Sequence, residues 1–385
     1  MLRVKKRAMP QTSNTRAFPH TMLQEIYEQP KALSATIERY APSGSLSADS
    51  FPNIAEILRG RQRLVIAASG SSRHAGLAGE IMLEDYAGLA VDVEYASEYC
   101  YRSTHTLHDP GVLVISQSGE TADTLAALRE ARTRGLATAA ITNNAASTMA
   151  SEADSSLPTI AGKEKAIPAT KSFTTQLTVL YLLTLYLARL GGRMTAQTVS
   201  AHLEHLKKLP QQLESSLTAW EKQIHGIAKD LHKSKGFLYL GRAIHYAIAR
   251  EGALKLKESA YMQAEGYPAG ELKHGPNALV SADTPLVVLA TFDKGDPDSV
   301  LRYQKTLQLM RDMHAQGATI LSVITEGDKE VAKFSKYSIA VPAVDEFLLP
   351  LLEVVPLQLF AYFTAILNGV NVDAPRNLVK AVVTE

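Results

Sequence analysis

Short apolar runs bounded by turn residues alternate along this chain with longer segments whose apolar positions recur every three or four residues. "RLVIAA" (63–68), "VDVEYAS" (91–97), "GVLVIS" (111–116) and "ATAAITN" (137–143) predict strands. "SGSSRH" (69–74) reads as a turn, and "AGLAGEIMLEDYAG" and "ADTLAALREARTRG" predict helices. Parallel neighbours need a crossover, so strands alternating with helices predict parallel pairing. A short helix is expected in "TMLQEIYEQPKALSATIERY" (21–40), ahead of the loop "APSGSLSADSFPN".

The pattern then recurs. "GFLYLGRAIHYAIAREGALKLKESAYMQAEG" repeats strand, turn and helix; "TPLVVLAT" is a strand, "SVLRYQKTLQLMRDMHAQG" a helix, and "ATILSVIT" echoes "ATAAITN". An offset of roughly 180 residues suits a duplicated domain and is too long for a solenoid repeat. The fold class expected is α/β: two tandem doubly wound parallel-sheet domains of flavodoxin-like type, with helices on both faces and a C-terminal tail. The boundaries expected are a lead-in and helix over 1–44, a first domain over 45–195, a polar helical connector over 196–230, a second domain over 231–367 and a tail over 368–385.

Composition narrows the partners. The chain has 385 residues, 46% apolar and 21% charged, with a formal net charge of +1, which is ordinary for a soluble globular protein. Such a balance leaves no electrostatic footprint for nucleic acid or an anionic membrane. Cys100 stands alone, so neither a disulfide framework nor a cysteine zinc site is expected, and a reducing cytoplasm is the compartment implied. "MLRVKKRAMPQTSNTRAF" is basic and polar without an apolar core behind it, and reads as a disordered lead-in rather than a secretory signal. "LTVLYLLTLYLARL" is too short to span a bilayer, and Glu353 and Pro356 break "LLPLLEVVPLQLFAYFTAIL". Both read as core or subunit-interface helices.

Candidate chemistry begins at "SQSGET" (116–121), after the strand "GVLVIS" and before a helix. Ligands of doubly wound sheets sit outside the carboxyl ends of the strands, where helix N-termini offer unpaired N–H groups and partial positive charge. Ser116, Gln117, Ser118 and Thr121 can add side-chain donors there, and Gly119 allows close approach. Ser71 and Ser72 repeat the design at the end of another strand. Helix capping alone accounts for one such loop; two on neighbouring strands point to a small phosphate ester. Neither loop has the lysine of a P-loop or a dinucleotide fingerprint. The second copy has "ATFDKGDPD" at the corresponding place, without the hydroxyls, so one site per chain is expected.

"SGSS", "SQSGETADTL" and "TKSFTTQLTVL" resemble the sugar isomerase (SIS) family. "EGALKLKESAYMQAEGYPAGELKHGP" and "VDAPRNLVKAVVTE" are similar to one branch of it, the isomerase half of the glucosamine-6-phosphate synthases, from about His20 to Glu385. In that branch a glutaminase domain supplies ammonia. The matching region here begins about twenty residues in and Cys100 is misplaced, so the chemistry expected is the isomerase half run with free ammonia, favouring release. The resemblance implies that Glu258 shuttles a proton. Glu251, Lys255 and Glu258 fall at helical spacings of four and three, which by spacing alone also fits a solvated charge stripe. It implies that His274 opens the sugar ring, reaching the partner's site in an obligate homodimer, and that Lys380 closes over the sugar and can form a Schiff base with its carbonyl. Thr170 and Lys171 fall where the family lines the sugar pocket, with Ala169 where a serine is usual. No metal-ligand spacing appears, and the chemistry needs no organic cofactor.

The reaction expected is thus deamination with isomerisation of glucosamine 6-phosphate to fructose 6-phosphate. Galactosamine 6-phosphate and fructosamine 6-phosphate are the nearest alternative substrates. A sugar-phosphate sensor is the alternative outside enzymes; it would need a DNA-binding region that is not evident.

Overall fold

The computed structural model describes residues 16–102 and 109–383, so most of the polar lead-in lies outside the described residues. The first helical stretch is two helices, α1 (Thr21–Tyr27) and α2 (Gln29–Tyr40), joined at Glu28. Pro30 explains the break: it donates no backbone hydrogen bond and is tolerated in a first turn, where the helix restarts. A helical turn, α3 (Ile54–Ile57), leads into the first sheet.

That sheet runs β1 (Arg63–Ala68), α4 (Gly70–Met82), β2 (Ala90–Tyr95), α5 (Ala96–Tyr99), β3 (Gly111–Ser116), α6 (Ala122–Thr133), β4 (Thr138–Thr142), α7 (Thr148–Glu152) and β5 (Ser155–Pro158). Two long helices follow, α8 (Lys171–Leu190) and α9 (Ala196–Leu231). The second sheet runs β6 (Gly236–Gly241), α10 (Ile244–Ala260), β7 (Gln263–Pro268), β8 (Leu286–Ala290), α11 (Pro297–Ala315), β9 (Ile320–Thr325) and β10 (Tyr337–Val341), closed by α12 (Leu349–Leu367). The strand orders are β2-β1-β3-β4-β5 and β7-β6-β8-β9-β10, the same permutation, with every pairing parallel. Two tandem doubly wound α/β sheets are what the alternation predicts.

"SGSSRH" differs from its reading as a turn. Gly70, at φ +54°, makes the whole bend, and α4 begins there. Ser71 and Ser72 therefore sit in a helical first turn with their backbone donors aimed outward. The connector is also more than polar. Val199, Leu203, Leu206, Leu213, Leu217, Trp220, Ile224 and Ile227 form a buried stripe along one face of α9, which packs on α2 and α12.

One apolar cluster runs through both repeats, joining α4, α8, α9, α10 and α12. Helices α8 and α12 are long and apolar enough to cross a bilayer, and both are buried inside this cluster.

Candidate active site

In a sheet of this order the connections reverse between β1 and β3, and the crevice at their carboxyl ends is where a ligand is held. A cavity of about 280 Å³ opens there. The first turn of α4 contributes Ser71 and Ser72, and the β3–α6 loop contributes Ser116, Gln117, Ser118 and Thr121. Lys255 and Glu258 reach it from α10 of the second repeat, and Lys380 from the tail.

The loop is tightly shaped. Ser116 Oγ lies 2.9 Å from Thr121 Oγ1 and accepts from the Gly119 amide at 3.2 Å; Ser118 Oγ accepts from the Glu120 amide at 3.1 Å. Gly119 has φ +67°, and a Cβ there would collide with the side chains of Ser147 and Thr142. Only glycine fits both conditions. Close approach at this residue is thus to the protein's own β4–α7 region. Ser72 Oγ accepts from Gln176 Nε2 of α8 at 3.0 Å, which fixes the second hydroxyl loop.

Opposite the loops lies a chain of charges on one face of α10. Lys255 Nζ is 2.5 Å from Glu258 Oε2 and 3.4 Å from Glu251 Oε1, and His74 Nδ1 of α4 donates to Glu251 Oε2 at 2.8 Å. Lys255 and Glu251 are fully buried. Burial alone would raise the Glu251 carboxyl, but Lys255, His74 and a hydrogen bond from Ser71 outweigh it and hold it low. Burial likewise works against the Lys255 ammonium, yet Glu251 and Glu258 reverse that and push it up. Lys255 is therefore a fixed positive charge beside Glu258, and the stripe on α10 is not a solvated one.

The tail covers one side. Lys380 Nζ donates to Glu164 Oε2 at 2.6 Å and to the Ala166 carbonyl at 2.7 Å, while the Val382 carbonyl accepts from the Ala122 amide at 2.9 Å. Ala122 opens α6, so the tail occupies one of the unpaired donors of that helix end.

Three of the expected site residues are not brought into this cavity. His274 is exposed at the end of the 3-10 turn Ala269–His274. Thr170 and Lys171 are buried beneath the cavity wall. The Thr170 amide donates to Glu164 Oε1 at 3.0 Å, and Lys171 Nζ pairs with Glu28 at 2.6 Å. Lys171 is turned away from the cavity by its Nζ, which donates to Glu28 and to the Lys163 carbonyl. Ala169, by contrast, does line the cavity, without a hydroxyl. Glu164 and His74 were not singled out by any sequence pattern. Glu164 lies six residues before Thr170, outside the spacing of a capping box.

The corresponding crevice of the second repeat is chemically different. Its cavity, of about 740 Å³, is walled by Asp293, Asp296, Asp298, Asp345 and Glu346 against Arg302 and two histidines. That excess of carboxylates repels a phosphate. Behind it, His245 is buried between Glu353 at 2.7 Å and Glu346 at 3.2 Å.

The description "SIS domain" matches residues 57–186 and 230–368 of this chain. The glutamine–fructose-6-phosphate aminotransferase (isomerizing) of Chlorobaculum tepidum is 39% identical over 370 residues, which is 96% of this chain and 59% of that protein. The corresponding protein of Methanosarcina acetivorans is 41% identical over 377 residues, again covering 59% of its length. This chain thus spans about three fifths of the curated relatives it matches. The C-terminal domain of glucosamine-fructose-6-phosphate aminotransferase from Francisella tularensis superposes with a TM-score of 0.86 at 36% identity, covering 93% of this chain and 99% of that one.

Proposed function

This chain belongs to the SIS domain family, and from that premise we propose that it converts glucosamine 6-phosphate and water reversibly into fructose 6-phosphate and ammonia. The observation that carries the reading is the Lys255–Glu258 pair, 2.5 Å apart, facing two hydroxyl loops across one cavity. A sugar-phosphate sensor needs the loops but has no use for a buried ammonium locked beside a carboxylate.

The phosphate is assigned to Ser71, Ser72, Ser116, Gln117, Ser118 and Thr121, with the N-termini of α4 and α6 behind them. The open-chain sugar carries an aldehyde at C1, and an amine and the mobile proton at C2. Glu258 takes that proton, and its electron pair forms the C1–C2 double bond as the C1 oxygen gains a proton. Glu258 then returns the proton to C1, and the nitrogen lone pair forms an imine at C2. Water adds to C2, and the resulting carbinolamine expels ammonia to leave the ketone. Free ammonia in water is dilute, so mass action favours release.

Lys380 is assigned to the carbonyl end of the sugar. Its Nζ lies at the cavity wall, where it can donate to the carbonyl oxygen or attack the carbonyl carbon as a Schiff-base amine. His274, exposed and outside the cavity, is assigned to ring opening in the partner's site of a homodimer. The lone thiol Cys100 suits a cytoplasmic enzyme.

The test is to incubate the purified chain with glucosamine, galactosamine and fructosamine 6-phosphates and to assay ammonia and ketose phosphate. Ammonia from the first is expected; ammonia from none ends the deaminase reading.

A further inference from the structure

One carboxylate at the cavity wall has no part in the reaction as drawn. Glu164 is buried, and its two oxygens have different tasks. Oε1 accepts from the backbone amides of Thr170 and Ser172, both at 3.0 Å, which are donors that α8 cannot satisfy itself. Oε2 accepts from the Ser172 hydroxyl at 2.7 Å and from the Lys380 ammonium at 2.6 Å.

The tail that carries Lys380 has little else to hold it. Val379, Val382 and Val383 are 63%, 51% and 63% exposed, so apolar burial contributes little there. Among the described residues beyond Asn377, its hydrogen bonds are the two from Lys380 Nζ and the one from Ala122 to the Val382 carbonyl. An exposed segment with few contacts opens locally at small cost unless a strong anchor holds it. A charge-assisted bond to a buried carboxylate is such an anchor.

We propose that Glu164 is the positioning residue that seats Lys380 and so keeps the tail closed over the cavity. Its effect on catalysis is exerted through the lysine and rests on the reaction proposed above; its effect on the tail does not.

Glutamine at this position separates the two tasks. The amide oxygen still accepts from the Thr170 and Ser172 amides, and the NH2 group in place of Oε2 can donate to the Ser172 hydroxyl oxygen but cannot accept from Lys380. Hydrogen exchange of the full chain without substrate should show the Ala122 amide, whose acceptor is the Val382 carbonyl of the tail, exchanging about tenfold faster in Glu164→Gln, with α8 protected as before. In turnover, kcat should fall about tenfold while KM stays within about threefold, because the loops that hold the phosphate are untouched. Unchanged exchange at Ala122 overturns the proposal, and so does loss of protection in α8 along with it. Should Glu164→Gln fail to fold, Lys380→Met removes the same ion pair while leaving the helix cap, and an Ala122 amide as protected as in the wild type overturns the proposal there. Failure of the wild type to release ammonia ends the proposed reaction, and the exchange experiment still decides the seat.

Discussion

Glu258 differs from a glutamine by the one property that the proposed reaction uses, the capacity to take and return a proton. Glu258→Gln is expected to lower ammonia release by about 10²–10⁴-fold. Affinity for fructose 6-phosphate, measured by calorimetry, should stay within a few-fold, since the hydroxyl loops are unaltered. Turnover near the wild-type rate removes Glu258 from its role. At this scale the sequence showed most of what the cavity contains. Serines clustered after strands are a local pattern that survives without coordinates, whereas Glu258 and Lys380 are legible only through the family resemblance, since spacing on the helix fits a solvated stripe equally well. Glu164 and His74 were invisible because each is defined by a partner distant in the chain, Lys380 for one and Glu251 for the other. Thr170 and Lys171 show the reverse failure: being next to the site in sequence does not turn a side chain toward it.

Elements were legible in proportion to their burial. The interior strands β1, β3, β4, β6, β8 and β9 are continuous apolar runs, because neighbours and helices cover them on all sides. β5, β7 and β10 carry no such run; each is an edge strand with polar or half-exposed positions that break it. In sequence α9 reads as a polar connector because its outward faces outnumber its stripe, yet that stripe ties the second sheet to the core. Trp220, 4% exposed, donates from Nε1 to the Ala340 carbonyl of β10 at 2.8 Å. Trp220→Ala should cost about 3–5 kcal/mol by loss of packing, read as a shifted midpoint in urea denaturation. A shift under about 1 kcal/mol would place α9 outside the cooperative core.

For the molecule as a whole, buried charge sets how stability depends on pH. Glu25 is buried against the Lys165 and Ala166 amides beside Glu164, and burial, reinforced by Glu164, raises it from 4.5 to about 7. A carboxyl whose folded pKa exceeds its unfolded one is penalised when ionised, so stability falls as pH rises from 4.5 to about 7 and the cost is full above that. Glu25→Gln should therefore gain on the wild type across that window and hold the gain at higher pH; a pH-independent difference in unfolding free energy would refute it. His245 works in the other sense. Despite burial, Glu353 and Glu346 raise it from 6.5 to about 10, so its contribution is complete below 6.5 and lost as pH rises through about 10. Its partner Glu346 is lowered to about 2, since the His245 bond overcomes burial, and that contribution is present above 4.5 and lost as pH falls through about 2.

The two repeats have diverged into a handle and a tool. In the proposed reaction the β3–α6 loop holds the phosphate of the ester and α10 moves its proton, although the two lie in different copies of one architecture. Under that reaction, edits to the loop alter the grip on the phosphate and spare the proton transfer, and edits to α10 do the reverse.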